Sequence, residues 1–371
     1  MGARTRGLAN NVLSSGKLDA TDAISGTIAA GNIANASLTS ATTYGSVTGG
    51  VPAVASDPPS PAEGDIWYNT TTGTLRFRAQ VGSWATGGNL NTARMDAGGA
   101  GTQTATIAFG GGQPSPFNAQ TELYNGSAWT EVNDLPTNNI AIEGAGTQTA
   151  ALGFGGYTTP YTGATQSWNG TSWTTLGATM NTARGNMAGG GIQTSAMGFG
   201  GIAGPPSGTP IEAKTELWDG STWTEVNDLN TARYFLTSST QDSGNTASLA
   251  FGGANGPKLA VTESWNGTSW TEVADLNTLR DTMGGGGTQT SAIASGGVTS
   301  GSPTRLTNTE VWNGTSWSEV SDLSTARNKM VGTGSNNTVA IVAGGELPTG
   351  SPSSANATEE WSYADTTFTV G

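Results

Sequence analysis

A chain of 371 residues with 12 Trp can bury a large core, although 57 Gly and only 11% charged residues take it far from average globular composition. It has no Cys and no His, which excludes disulfides, thiolate nucleophiles, imidazole bases and the commonest zinc sites, so no metal and no cofactor are expected. A net charge of −13 opposes binding to nucleic acid or anionic membranes, and no stretch reaches the ~20 apolar residues of a membrane helix.

The first residues, Met1 to Arg6, are basic, but no apolar run follows, so no secretory leader is read there and folding in a cytoplasm is expected. Residues 1–63 space Ile28, Ile33 and Leu38 five apart among Ser, Thr, Asn, Gly and Ala. Such a stretch lacks the apolar mass to fold alone and is expected to be an extended arm ordered by other chains, as a trimeric stalk or docked on a larger assembly. Pro58, Pro59 and Pro61 then make a stiff spacer. Residues 64–89 carry three short runs of strand-forming residues, at 65–68, 74–78 and 83–86, and read as a small β-meander.

From Leu90 to Gly371 one sentence is repeated six times. Its refrain, Leu-Asn-Thr-Ala-Arg at 90–94, returns with variation at Leu135, Met180, Leu229, Leu276 and Leu323, a period of about 47 residues. Each unit alternates apolar and polar residues in four runs, here called strands a to d. Strand b ends in Gly-Gly, as at Gly110-Gly111. An Asn-Gly or Asp-Gly pair joins c to d at Asn125, Asn169, Asp219, Asn266 and Asn313, and predicts a two-residue type I′ hairpin. The Asn-X-Ser/Thr sequons there are explained by turn chemistry.

Two aromatic columns follow: Tyr124, Trp168, Trp218, Trp265, Trp312 and Trp361 on strand c, and Trp129, Trp173, Trp223, Trp270 and Trp317 opening strand d, with Phe368 in the last unit. Bulk at a fixed height is what sheets stacked face to face need.

Gly-Gly after b, an aromatic on c, Trp about five residues later and Arg opening the next unit together resemble the kelch repeat. The resemblance implies an all-β fold, a β-propeller of six four-stranded blades from 90 to 371. Because Trp84 stands six residues before Leu90, as Trp129 stands six before Leu135, residues 65–89 are alternatively a degenerate seventh blade. The kelch-type copper oxidases use Cys and His ligands, which this chain lacks.

Five units pair an opening Arg with a Glu at the start of strand c: Arg94 with Glu122, Arg184 with Glu216, Arg233 with Glu263, Arg280 with Glu310, and Arg327 with Glu359. The second unit has Asn139 and Gln166 instead, losing both charges together. Removing one partner of a buried pair is costly, whereas exchanging both is not, so each Arg is expected to cross its own blade to that Glu. The rival is an Arg cluster that binds an acidic ligand.

The b-to-c turns vary in length and chemistry, and on the strand alternation they share a face with the Arg-bearing d-to-a turns. A constant frame with varied loops suits a binding surface, with Phe117, Tyr157, Tyr161, Lys258 and Arg305 as candidate receptor contacts; neutral drift of exposed turns is the alternative. The acids Asp96, Glu143, Asp242 and Asp281 do not repeat, but nothing in the sequence pairs them as glycoside hydrolysis requires, so no enzyme is expected.

Residues 64–77 resemble a short meander of bacteriophage tail fibres, and the run from Ile24 to Ile33 resembles fibre stalks. This resemblance implies a virion protein of tail or capsid, assembled in a host cytoplasm. The arm would contact other virion proteins as a homo-oligomer, a trimer, while the propeller binds a host glycan or surface protein. Alternatives are a decoration protein packed on other virion subunits and, less favoured, a glycan-cleaving enzyme.

Overall fold

The structure, a computed structural model, describes residues 51–62, 64–112, 116–204, 210–239, 244–299, 304–348 and 354–370. Most of the expected arm and its trimer contacts thus lie outside the described residues. The described residues form two compact units, one within Met1–Gly82 and Tyr363–Gly371, the other within Ser83–Ser362.

In the first unit, Ala53–Val54 pairs in parallel with Ile66–Asn69, which pairs antiparallel with the beginning of Thr74–Thr86. Asp57 organises it, accepting hydrogen bonds from Trp67 Nε1 at 2.9 Å and Asn69 Nδ2 at 2.8 Å and pairing with Arg76. These bonds, that of Trp67 foremost, hold the Asp57 carboxyl below its ordinary value. Phe77 stacks on Phe368 at 5.0 Å. The two strands expected at 74–78 and 83–86 are one continuous strand, Thr74–Thr86.

The second unit is a six-bladed β-propeller. Blade 1 is built from Gly98–Thr102, Ala105–Phe109, Thr121–Tyr124 and Trp129–Val132 in antiparallel order. Blade 2 uses Glu143–Thr147, Ala150–Phe154, Ala164–Trp168 and Trp173–Thr179, and blades 3, 4 and 5 repeat the scheme from Ala188, Thr237 and Gly284. Blade 6 takes Val331–Asn336, Val339–Ala343 and the beginning of Thr358–Val370 as strands a to c.

Its outer strand is the end of Thr74–Thr86. Trp84 packs on Trp361 with ring centroids 5.4 Å apart, and Gly87 N donates to Thr358 O at 2.9 Å. Each strand-d Trp donates its Nε1–H to the Thr that opens strand c of the preceding blade. The bonds run from Trp129 to Thr358, Trp173 to Thr121, Trp223 to Thr165, Trp270 to Thr215 and Trp317 to Thr262, all at 2.8–3.1 Å. Trp84 completes the circle by donating to Thr309 at 3.0 Å.

Two expectations are corrected by this closure. The strand around Phe368 is not the outer strand of the last blade, and residues 65–89 are not a seventh blade. The position five residues after Trp361 is Thr366, which offers no indole to reach Thr309; Trp84 does, so the ring is closed by the segment N-terminal to the first repeat.

Apolar side chains fill the space between blades. Phe109, Leu135, Ile142, Ala151, Trp168 and Trp173 pack blade 1 against blade 2, and equivalent clusters recur around the ring. In blades 1 to 4 the strand-b Phe meets the next blade's Trp, as Phe109 meets Trp173 at 4.7 Å and Phe199 meets Trp270 at 4.7 Å.

The c-to-d turn differs from expectation. Tyr124 pairs with Trp129, so four residues intervene, and only Gly126 has positive φ, at 90°. Asn125 Oδ1 accepts the amides of Ser127 and Ala128, both at 3.0 Å, and this side-chain cap replaces the second left-handed residue of a type I′ turn.

The glycines of strand a let neighbouring blades touch backbone to backbone near the axis. A Cβ at Gly144 would stand 2.3 Å from Gly99 O, and one at Gly332 would stand 2.4 Å from Gly285 N. Neither obstacle is a side chain that can swing away. Gly332→Ala is therefore expected to destabilise the propeller by about 1–3 kcal/mol in a denaturant melt. An unchanged midpoint would show that the inner strands are not in contact.

Candidate functional site

In an antiparallel blade, the start of a, the end of b, the start of c and the end of d lie at one edge. The refrain and the variable loops therefore share one face of the ring.

The five Arg–Glu pairs form beneath that face, each within its own blade. Arg184 Nη1 lies 2.8 Å from Glu216 Oε1 and Arg280 Nη2 lies 2.5 Å from Glu310 Oε1; Arg94 with Glu122, Arg233 with Glu263 and Arg327 with Glu359 are equally direct. All ten side chains are at most 4% exposed, so none reaches a ligand in solvent, and the Arg-cluster reading falls.

The refrain's Asn completes the arrangement. Glu122 accepts from Asn91 N at 2.7 Å, Asn91 Nδ2 at 2.8 Å and Thr92 N at 3.3 Å, and Glu216, Glu263 and Glu310 are held in the same way. Each Arg also donates to carbonyls, as Arg280 Nη1 does to Asn308 O at 2.8 Å. Burial draws the guanidiniums of Arg94, Arg184, Arg233 and Arg280 below their ordinary pKa, opposed by the adjacent Glu.

Blade 2 departs from this pattern at three positions. Pro136, which has no N–H, stands where the other blades have Asn or Ser, and Asn139 and Gln166 replace the ion pair. Asn139 Nδ2 donates to Gly155 O at 2.9 Å, whereas Asn139 Oδ1 and Gln166 Oε1 are buried without a partner among the described residues.

The aromatic candidates gather at blades 1 and 2. Phe117 and Tyr157 meet edge to face at 5.8 Å, Tyr157 and Tyr161 do so at 5.0 Å, and all three remain partly exposed. Burial raises the Tyr161 hydroxyl above its ordinary pKa. Lys258 and Arg305 belong to blades 4 and 5 and do not join this group. Lys258 pairs with the buried Asp281. Arg305 is bound to Glu346 at 2.6 Å and to Asn328 Oδ1 at 2.8 Å, with 11% of its side chain exposed. Both charges are neutralised within the fold.

At the axis, six residues of the d-to-a turns adopt left-handed backbone although none is Gly: Asp96, Ala141, Asn186, Phe235, Thr282 and Lys329, with φ between 52° and 57°. Each amide donates to the carbonyl of the preceding member at 2.7–3.3 Å, and Asp96 N donates to Lys329 O at 3.0 Å, so the bonds close into a six-membered collar. Left-handed φ is costly for a bulky Phe or a β-branched Thr, and it persists where the surrounding structure over-determines it. The collar surrounds a cavity of about 130 Å³ whose walls include Ile142, Glu143, Met187, Leu236, Met283 and Met330.

Of the non-repeating acids, Asp96 and Glu143 line this cavity, Asp281 holds Lys258, and Asp242 lies outside the described residues. Asp96 lies 3.4 Å from Lys329, whereas Glu143 has no cationic partner among the described residues. Desolvation pushes the Glu143 carboxyl up to about 8, opposed only by the Gly144 amide. The repeating acids are structural: Asp134, Asp228, Asp275 and Asp322 each accept the backbone N–H that opens strand c, at 3.0–3.3 Å.

No protein-family model matches the chain, and no curated protein matches it. Among solved structures it is similar to that of YjhT, with a TM-score of 0.62 and 12% identity over 75% of this chain and 99% of that one. The likeness is one of fold, a kelch-like β-propeller.

Proposed function

We propose that the protein is a bacteriophage virion appendage whose propeller binds a host-surface glycan through the aromatic group Phe117, Tyr157 and Tyr161. The observation that carries this reading is where the repeat breaks. Five blades carry the Arg–Glu pair; the one that does not, blade 2, presents Tyr157 and Tyr161, and Phe117 of blade 1 meets Tyr157. Departures from a repeated rule concentrate where function constrains the residues. Partly exposed rings suit stacking against the apolar face of a sugar.

The virion setting draws on the fibre-like residues 24–33 and 64–77, with the arm at 1–63 as the attachment to other virion proteins. Several copies on one particle would convert weak single contacts into strong attachment.

Glycan-array binding tests the reading. The triple variant Phe117→Ala, Tyr157→Ala, Tyr161→Ala is expected to lose the signal at unchanged thermal stability of the propeller. Retention of full binding would remove the aromatic group from the site. Absence of any glycan signal, with this face protected from labelling in assembled particles, would favour the decoration role.

A further inference from the structure

We infer that the axial cavity is a binding site for a small organic ammonium compound, primary or methylated, whose positive charge pairs with Glu143. This site is separate from the aromatic group and does not rest on the attachment reading.

The first observation is positional. Glu143 stands two residues after its collar residue. The same place in the other blades holds Gly98, Ala188, Thr237, Gly284 and Val331, none of them charged. A carboxylate at a position otherwise given to small or apolar residues costs desolvation. The fold needs no charge there, since five blades build their inner strand without one. The Glu143 side chain packs over the next blade, where a Cβ at Gly189 would meet its Cγ at 3.2 Å.

The second observation is the missing partner. The only other titratable groups lining the cavity are Asp96 and Lys329, which face one another, and Lys329 also lies 3.8 Å from Glu346. At this face Glu122, Glu216, Glu263, Glu310 and Glu359 hold Arg, and Asp281 holds Lys258. Of the acids that line the cavity, Glu143 alone has no cationic partner among the described residues.

The third observation is the character of the walls. Ile142, Leu236, Met187, Met283 and Met330 contribute to the walls beside the glycine-rich inner strands, and Phe235 stands in the collar. A hard metal ion would need six or more oxygen ligands. No group of three acidic, His or Cys side chains able to hold a metal occurs among the described residues. An organic cation needs one counter-charge and apolar contact for its carbon substituents, with an aromatic face as a further attraction. A cavity of about 130 Å³ holds a molecule of about benzene size.

Binding is coupled to a proton. With the cavity empty, Glu143 is protonated at neutral pH, because its carboxyl is raised to about 8. A permanently charged ammonium ion must displace that proton, so affinity rises roughly tenfold per pH unit below about 8 and levels off above it.

Titration calorimetry of the full chain with choline and with tetramethylammonium, at pH 6, 7 and 9, tests this. Saturable binding that strengthens with pH is expected. Glu143→Gln, which removes a desolvated acid and keeps its shape, is expected to fold and to lose at least tenfold in affinity at pH 9. Glu131→Gln, on the exposed outer strand of blade 1 and outside the cavity, is expected to retain both the binding and its pH dependence. The inference is overturned by no binding at tens of millimolar probe, by equal affinity in Glu143→Gln, or by a pH dependence that persists in Glu143→Gln. A neutral polyol that binds both proteins equally would also overturn the assignment to a cation.

Discussion

Glu263→Ala is expected to destabilise the propeller by about 3–5 kcal/mol, because it leaves Arg233 charged and buried with no counter-ion. It also strands the donors that Glu263 gathers, Asn230 N at 2.7 Å, Asn230 Nδ2 at 2.8 Å and Thr231 N at 3.3 Å. Arg233→Ala is expected to cost a similar amount. The combined replacement Asn230→Pro, Arg233→Asn, Glu263→Gln transplants the set that blade 2 carries at Pro136, Asn139 and Gln166, and is expected to cost much less than the two single changes added together. Urea melts of the four proteins compare these losses. Additive losses would mean that the two charges are not coupled, and that the joint exchange in blade 2 has some other cause.

Trp84→Ala is expected to destabilise the ring by about 3 kcal/mol, comparable to the loss of a core Trp in any other blade. It removes the bond to Thr309 and the contact with Trp361, and with them the non-covalent latch between the first and last parts of the chain. Phe368→Ala, in the other compact unit, is expected to leave the main unfolding transition close to its original midpoint. Reversed outcomes, with Phe368 critical and Trp84 dispensable, would restore a sixth blade closed by its own C-terminal strand.

The parts of the fold legible in the sequence are those that repeat. Strand alternation, the Asn-Gly or Asp-Gly turns and the two aromatic columns recur in blades 1 to 5, and the Arg–Glu pairing could be read because blade 2 exchanges both members at once. The inter-blade Trp–Thr bonds were also open to reading, since a Thr precedes each strand-c Glu or Gln and a Trp opens almost every strand d. Asp57, hub of the small unit, left no such trace, since it occurs once.

Legibility of the site was uneven for the same reason. Phe117, Tyr157 and Tyr161 were drawn from variable loops as separate candidates, and folding places Tyr157 within 5.8 Å of both other rings. Lys258 and Arg305 looked equally available in sequence, but their partners Asp281 and Glu346 stand 23 and 41 positions away in the chain and belong to no repeated pattern. Glu143 was visible only as an acid that does not repeat.

By itself, then, the sequence determined the number of repeats, the order of strands within blades 1 to 5 and the partner of each refrain arginine, because these follow from side-chain alternation, turn chemistry and charge balance within about 50 residues. Only the tertiary structure decided that Trp84 closes the ring, that six unlike residues share one left-handed collar, and that Glu143 faces an axial cavity without a cation. Those features arise where distant segments converge on a common axis, and convergence depends on the geometry of the whole ring, which no single repeat encodes.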